Sequence, residues 1–92
     1  MRAPDDTAPR RNPEVAFREL AEGEGGVLLH LGSGSYHGIN PVGALVWELL
    51  DGERTPAEVV AAVREQVEDP PAQLEGEVRA FITSLRERDL VL

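Results

Sequence analysis

The sequence predicts a small α+β domain in which a three-stranded antiparallel sheet precedes three helices. In the first half, short stretches alternate apolar and polar residues between glycine-rich turns, which is typical of strands. In the second half, apolar residues recur every three or four positions behind helix-starting signals, which is typical of amphipathic helices. A chain of 92 residues is long enough for one modest core and too short for a second.

The predicted strands are three short segments, at residues 15–20, 27–31 and 36–39. A glycine-rich stretch at 22–26 separates the first two strands. Gly32-Ser33-Gly34-Ser35 suits a tight hairpin before the third, because glycine adopts positive φ without a Cβ clash. Three prolines lie among polar residues in 1–13, so we expect a flexible tail there, followed by one folded domain over 14–92.

The first two predicted helices begin at capping signals. Asn40-Pro41 places an N-cap side chain before a proline, and Thr55-Pro56-Ala57-Glu58 is a capping box. The third helix follows Pro70-Pro71 and covers about 72–88. The apolar stripes are Val42, Leu45, Val46, Leu49 and Leu50; Val59, Val60, Val63 and Val67; and Leu74, Val78, Phe81, Ile82 and Leu85. Trp47 lies beside the first stripe, where core packing is favoured over a role as a partner's anchor.

Composition excludes several classes of function. The net charge is -8, with nine arginines, no lysine and 17 acidic residues, so neither nucleic acid nor an anionic membrane is an expected partner. The absence of cysteine rules out disulfides and thiolate metal sites. No apolar run approaches the roughly 20 residues that span a bilayer, and the N-terminus does not resemble a secretion signal. We therefore expect a cytoplasmic protein.

The predicted hairpin holds the candidates for catalytic or metal chemistry. With a two-residue loop at Ser33-Gly34, His30 would lie opposite His37, close enough to share a metal. No third ligand lies in either strand, so two solvated imidazoles and no metal are expected. The hairpin serines do not match the strained elbow of serine hydrolases. The glycines lead into a strand rather than a helix, unlike a phosphate loop. We expect neither catalysis nor a cofactor.

The third strand, from Ser35 to Ile39, has one edge that no predicted strand covers. It contains no charge, proline or bulge signal of the kind that protects an exposed edge. An extended peptide could therefore add to the sheet there, with alternate side chains entering a groove. The alternative is that the N-terminal tail covers this short edge. The residues alone leave both alternatives open.

A set of short features, in fixed order and spacing, resembles the PqqD-like family. These features are the strand at 27–31, Ile39-Asn40, the helix at 42–50, Asp51-Gly52 and the segment 54–58. The resemblance extends from about Val15 to Leu92. Members of this family are recognition elements that bind the leaders of ribosomally synthesised, later modified peptides (RiPPs). The resemblance implies a winged-helix-like arrangement in which the leader adds a fourth strand beside the third strand and packs against the third helix.

The chain is most similar to the free-standing members that serve lasso-peptide biosynthesis. This resemblance implies a precursor leader as ligand, read through a tyrosine and a proline, with a separate leader peptidase and the cyclase as further partners. It also implies that the protein is not an enzyme. The expected recognition surface is Ser35, Tyr36, His37, Gly38 and Ile39 on the third strand.

On the third helix we infer four recognition residues from helical spacing, since the family pattern does not fix them: Glu75, Arg79, Ile82 and Arg86. The two arginines would meet acidic leader residues, and Ile82 would meet an apolar one. Pairing of these arginines with Glu75 and Glu77 along the helix is the alternative.

A winged-helix transcriptional regulator or an adaptor protein is the alternative function. Its third helix would enter a DNA groove, and such helices normally carry a basic excess. Residues 72–89 contain three arginines against four carboxylates. The charge therefore argues against DNA.

Overall fold

A computed structural model describes residues 8–92, and it contains three strands followed by three helices. The strands are β1 (Val15–Glu19), β2 (Gly26–His30) and β3 (Tyr36–Ile39), and the helices are α1 (Pro41–Leu49), α2 (Pro56–Gln66) and α3 (Leu74–Glu87). The sheet is antiparallel with the order β1-β2-β3. The predicted α+β fold class is confirmed.

The first two helices start where their capping signals predict. The Asn40 side chain accepts a hydrogen bond from the Gly43 N–H at 2.7 Å, which satisfies an otherwise unpaired donor in the first turn of α1. Thr55 and Glu58 form a complete capping box at the start of α2. The third helix has no side-chain cap and begins at Leu74, two residues later than expected.

The core lies between one face of the sheet and the apolar stripes of all three helices. Its largest fully buried side chains include Leu28, Leu50, Leu74, Ile82 and Leu90. Trp47 is only 4% exposed, so the expectation of core packing is confirmed. Phe81 is half-buried against the edge of this core.

The β2–β3 hairpin differs from the expected two-residue loop. Leu28 pairs with His37, and the His30 N–H donates to the Ser35 carbonyl at 2.8 Å. The expectation that His30 lies opposite His37 is therefore wrong. The loop is longer because the Gly34 N–H closes it on the His30 carbonyl and the Ser33 N–H donates to Nδ1 of His30.

The sheet face that carries His30 is buried, whereas solvated histidines would require that face to be exposed. Leu28 and His30 point inward, and His30 is 8% exposed. Leu29 and Leu31 are exposed on the other side. Because side chains alternate along a strand, the choice of buried face is made for the whole sheet at once. Leu28 makes that choice by packing among the helices.

The described part of the expected tail is packed against the domain. Isolated antiparallel β-bridges pair the backbone of Arg10 with that of Asp51 and the backbone of Arg11 with that of Val91. This segment therefore lies between the end of α1 and the C-terminal residues. The Asn12 side chain is buried and donates to the Asp89 carbonyl at 3.0 Å. Residues 8–13 therefore belong to the folded unit, while the rest of the expected tail, residues 1–7, lies outside the described residues.

Candidate functional site

The outer edge of β3 presents unpaired backbone groups. Within residues 8–92 no strand pairs with this edge, since β3 is last in the sheet order. The bond from His30 to the Ser35 carbonyl fixes the alternation along the ladder. Ser35, His37 and Ile39 direct their backbone groups toward β2, whereas Tyr36 and Gly38 direct theirs outward. The described N-terminal residues lie beside Asp51 and Val91 instead, so they do not cover this edge.

A groove runs between β3 and α3. It consists of a cavity of ≈ 200 Å³ near β3 and one of ≈ 450 Å³ toward α1, and Asn40 and Phe81 line both. The smaller cavity is lined mainly by Leu28, His37, Gly38, Ile39, Ser84, Leu85, Arg88 and Leu90. The larger is lined by Val42, Gly43, Val46, Glu77, Val78 and Ala80. The larger cavity therefore has mostly apolar walls, whereas the smaller cavity, next to the open backbone of β3, combines apolar with polar side chains.

Phe81 divides this groove, and Gly43 makes room for it. A Cβ atom on Gly43 would lie 3.2 Å from Cζ of Phe81 and 3.2 Å from the Asn40 side-chain oxygen. Such contacts are tighter than packed side chains normally make, so glycine allows α1 to approach the phenylalanine ring closely. The shape of the groove depends on this pair.

Three of the five strand residues of the expected recognition surface line the groove. His37, Gly38 and Ile39 line the smaller cavity. The backbone of Tyr36 lies on the open edge, while its side chain is 74% exposed on the opposite face of the sheet. Ser35 ends the hairpin and its hydroxyl contacts that of Ser33 at 2.9 Å. The role of these five strand residues in binding remains a prediction.

The helix half of that surface lies elsewhere. Ile82 is 1% exposed, so the expectation that it meets a ligand at the surface is wrong. The helical repeat places Ile82 in the stripe of core residues, roughly 100° from Phe81. It also places Glu75, Arg79 and Arg86 roughly 120–160° from Phe81, away from the groove. Arg79 Nε donates to Glu75 at 3.1 Å, which is the i,i+4 pairing considered as the alternative.

The residues of α3 that do line the groove were missed from the sequence. They are Glu77, Ala80, Phe81 and Ser84, together with Arg88 directly after the helix. Most of them follow the three- and four-residue spacing from Phe81, the apolar residue at the margin of the core stripe. That spacing was the available signal. Within the described residues no cluster of three or more metal-ligating side chains occurs.

A second exposed apolar surface covers the outer face of the sheet. Leu29, Leu31 and Tyr36 are 37%, 63% and 74% exposed. A shallow depression of ≈ 550 Å³ on this face is lined by Ala16, Phe17, Arg18, Val27, Leu29 and Tyr36. Arg18 is the one charged residue in this lining. Clustered exposed apolar side chains are typical of protein contact surfaces.

Comparison with known families identifies the fold's relatives. The family described as coenzyme PQQ synthesis protein D (PqqD) matches residues 25–91, from the start of β2 to the C-terminal residues. The chain belongs to the PqqD family. The resemblance predicted from the sequence is thereby confirmed. No curated protein matches this PqqD-family chain.

Two solved structures closely resemble this PqqD-family chain. One is described as TbiB1 in complex with the TbiA(beta) leader peptide; it is 29% identical, with a TM-score of 0.71, over 89% of this chain and 93% of that one. The other is described as lasso peptide synthetase B1 complexed with the leader peptide. It is 29% identical, with a TM-score of 0.72, over 92% of this chain and 98% of that one. No helix within residues 8–92 is long and apolar enough to cross a membrane.

Proposed function

We propose that this protein binds the leader of a ribosomally synthesised precursor peptide as a fourth strand on β3. It then delivers the leader to a processing enzyme of lasso-peptide biosynthesis in the cytoplasm. The observation that carries this proposal is the open backbone of Tyr36 and Gly38 beside the groove between β3 and α3. Two similar structures that hold leader peptides support it.

A leader added as a strand would make two kinds of contact: backbone hydrogen bonds, which provide affinity, and side-chain contacts, which provide specificity. Its backbone bonds to Tyr36 and Gly38, each bond contributing about 0.5–1.5 kcal/mol net. Its side chains alternate, so every second one, roughly 7 Å apart, enters the groove on either side of Phe81. The larger cavity, ≈ 450 Å³ in volume, offers room for the leader tyrosine that the family resemblance implies.

A binding role without catalysis agrees with the groove's chemistry. Ser84 and His37 line the same cavity, but among the described residues no hydrogen bond joins them. A serine nucleophile needs a base within hydrogen-bond reach. The groove therefore offers contacts for holding a peptide, and the processing chemistry belongs to the partner enzyme.

Fluorescence anisotropy with a labelled leader from the adjacent precursor gene tests the proposal. We expect micromolar or tighter binding. Gly38→Pro removes an outward N–H without removing a β2–β3 bond, so affinity should fall about 10-fold or more. Gly38→Ala is the matched control, since its Cβ would meet nothing within 4 Å and its N–H remains. Failure of the unmodified protein to bind any leader of its cluster overturns the proposal.

We place the processing enzyme, a leader peptidase or the cyclase, on the outer face of the sheet. Leu29, Leu31 and Tyr36 form an apolar patch there, and a leader strand added to β3 would extend the same sheet. An enzyme on this face would contact the protein and the bound leader together. This arrangement explains why an exposed apolar face lies directly beside the peptide edge.

Leader cleavage by the co-encoded peptidase tests this placement. Leu31→Glu should reduce cleavage at least about 10-fold while leaving leader affinity unchanged, because a charge in an apolar contact is strongly disfavoured. Leu92→Glu is the matched control, since the two leucines are 63% and 61% exposed. Equal cleavage with both variants would show that the enzyme docks elsewhere.

A further inference from the structure

The groove between β3 and α3 has a positively charged side chain near one end and a negatively charged side chain near the other. The smaller cavity brings His37 and Gly38 together with Ser84 and Arg88. The larger cavity brings Asn40 together with Glu77. Following β3 toward Asn40, the helix residues beside it therefore run backward from Arg88 to Glu77. The two charges stand at opposite ends, roughly 16 Å apart by the helical rise.

Arg88, the residue that directly follows α3, is the arginine that lines the groove. Arg79 donates to Glu75, and the helical repeat places both Arg79 and Arg86 on the side turned away from Phe81. The Arg88 side chain is exposed at the mouth of the smaller cavity. Because the whole chain carries a net charge of -8, a ligand carboxylate is repelled over most of the surface. At the Arg88 end, the groove offers a positive charge that attracts such a carboxylate.

Strand geometry and the positions of these two charges together predict where a charged residue should occur in the ligand sequence. An antiparallel partner is favoured because the existing sheet is wholly antiparallel. Its chain would then run from the Glu77 end toward the Arg88 end. Phe81 and Arg88 are separated by about 10 Å along the helix, which corresponds to roughly three residues of extended chain. Only alternate residues face the groove.

We propose that Arg88 selects leaders that carry a carboxylate about two to four residues C-terminal to the apolar residue packed on Phe81. Glu77 disfavours a carboxylate at the other end of the same segment. This inference rests on the proposed leader binding at β3, and it adds a charge requirement that the apolar walls do not impose. Charged pairs of this exposed kind contribute modestly to affinity and mainly sort one ligand from another.

Charge exchange between the protein and the leader tests the inference by anisotropy at low salt. Arg88→Glu should weaken binding of the native leader about 10-fold, since a weak attraction becomes a repulsion. A leader whose acidic residue at the inferred position is replaced by lysine should bind Arg88→Glu better than it binds the unmodified protein. Arg86→Glu, on the far side of the same helix, is the control and should change affinity less than about two-fold.

The outcomes separate this inference from the proposed function. If the unmodified protein and Arg88→Glu bind the native leader equally, leader binding stands and the role of Arg88 is wrong. The role is also wrong if Arg86→Glu has the same effect, if the lysine leader restores nothing, or if the leader has no carboxylate in that window. If the unmodified protein binds no leader, both proposals fail. Thermal unfolding of each variant checks that the fold is retained.

Discussion

The two outer edges of the sheet offer an incoming strand different surfaces. At β3, the outward backbone belongs to Tyr36 and Gly38, and a Cβ on Gly38 would meet nothing within 4 Å. At β1, the bonds from Leu31 to Glu14 and from Leu20 to Gly25 leave the odd-numbered residues pointing outward. The first of these, Val15, already donates its N–H to Asn12 at 2.9 Å.

The cavities beside the two edges differ as well. The cavity between β1 and α1, ≈ 560 Å³, is larger than either cavity of the β3 groove, yet Arg10, Arg11, Glu48 and Asp51 contribute to its lining. The Arg11 side chain spans part of it by donating to the Glu48 carbonyl at 3.2 Å. The groove at β3 combines open backbone with a neighbouring cavity whose walls are mostly apolar. Backbone access beside an apolar wall, rather than cavity volume, therefore marks the better peptide edge.

The largest expected effect comes from Gly25, which supports the end of β3. It has φ +83°, and a Cβ there would overlap the Ile39 carbonyl oxygen. Gly25→Ala should cost at least about 2 kcal/mol of unfolding free energy, or roughly 10 °C in Tm, because left-handed strain and the overlap add together. Thermal unfolding followed by circular dichroism measures this change.

Gly23→Ala separates the two contributions at Gly25. Gly23 has φ +79° in the same turn, but a Cβ there would meet nothing within 4 Å. It should therefore cost only about 1 kcal/mol from backbone strain. Equal losses of Tm for the two variants would mean that the turn does not position β3.

Proline at each edge distinguishes β3 from β1 directly. Glu19→Pro removes an outward N–H at the β1 edge, as Gly38→Pro does at the β3 edge. Leader affinity should fall about 10-fold for Gly38→Pro and stay within about two-fold for Glu19→Pro, since only one edge holds the leader. Anisotropy with the same labelled leader compares them. A larger loss with Glu19→Pro would move the binding site to β1.

The sequence predicted the features that depend on local chemistry. The order of the elements and the start of α1 at Asn40-Pro41 follow from period and capping, which neighbouring residues determine. The hairpin register depended instead on contacts made after folding, such as the Ser33 N–H donating to the buried His30 ring. Those contacts shifted the pairing by two residues, whereas the choice of buried face depends on Leu28 packing among the helices.

The helix side of the site was mispredicted for a related reason. Ile82 and Phe81 are adjacent in sequence but roughly 100° apart around the helix, and the predicted apolar stripe contains both. The choice depends on how α3 rolls against its neighbours. Gly43 on α1 leaves room for the Phe81 ring beside the groove, while Ile82 is buried in the core. Spacing within a single helix does not contain that information.

Substitution of two helix caps separates an effect on stability from an effect on leader binding. Asn40→Ala and Thr55→Ala each remove an N-cap and should each cost about 1 kcal/mol of unfolding free energy. Asn40 lines both cavities of the β3 groove, whereas Thr55 begins α2 and lines neither. Leader affinity should therefore fall about three-fold or more only for Asn40→Ala. Equal affinities at equal Tm would remove Asn40 from the binding surface.

The smallest expected effect is that of low pH on the turn after α1, which Asp51 organises on the β1 side of the domain. Backbone N–H bonds from Glu53 and Arg54, both 3.0 Å, and the nearby Arg54 guanidinium lower the pKa of Asp51 below its ordinary value of 3.8. A lowered pKa in the folded state means that the contribution to stability is present above the ordinary value and is lost as pH falls through the folded-state value. The Glu53 and Arg54 amide resonances should therefore shift with a midpoint below 3.8. The Tyr36 and Gly38 amides at the β3 edge should not follow that transition, and Asp51→Asn should abolish it. A midpoint at or above the ordinary value, or a transition that persists in Asp51→Asn, would show that Asp51 does not hold this turn.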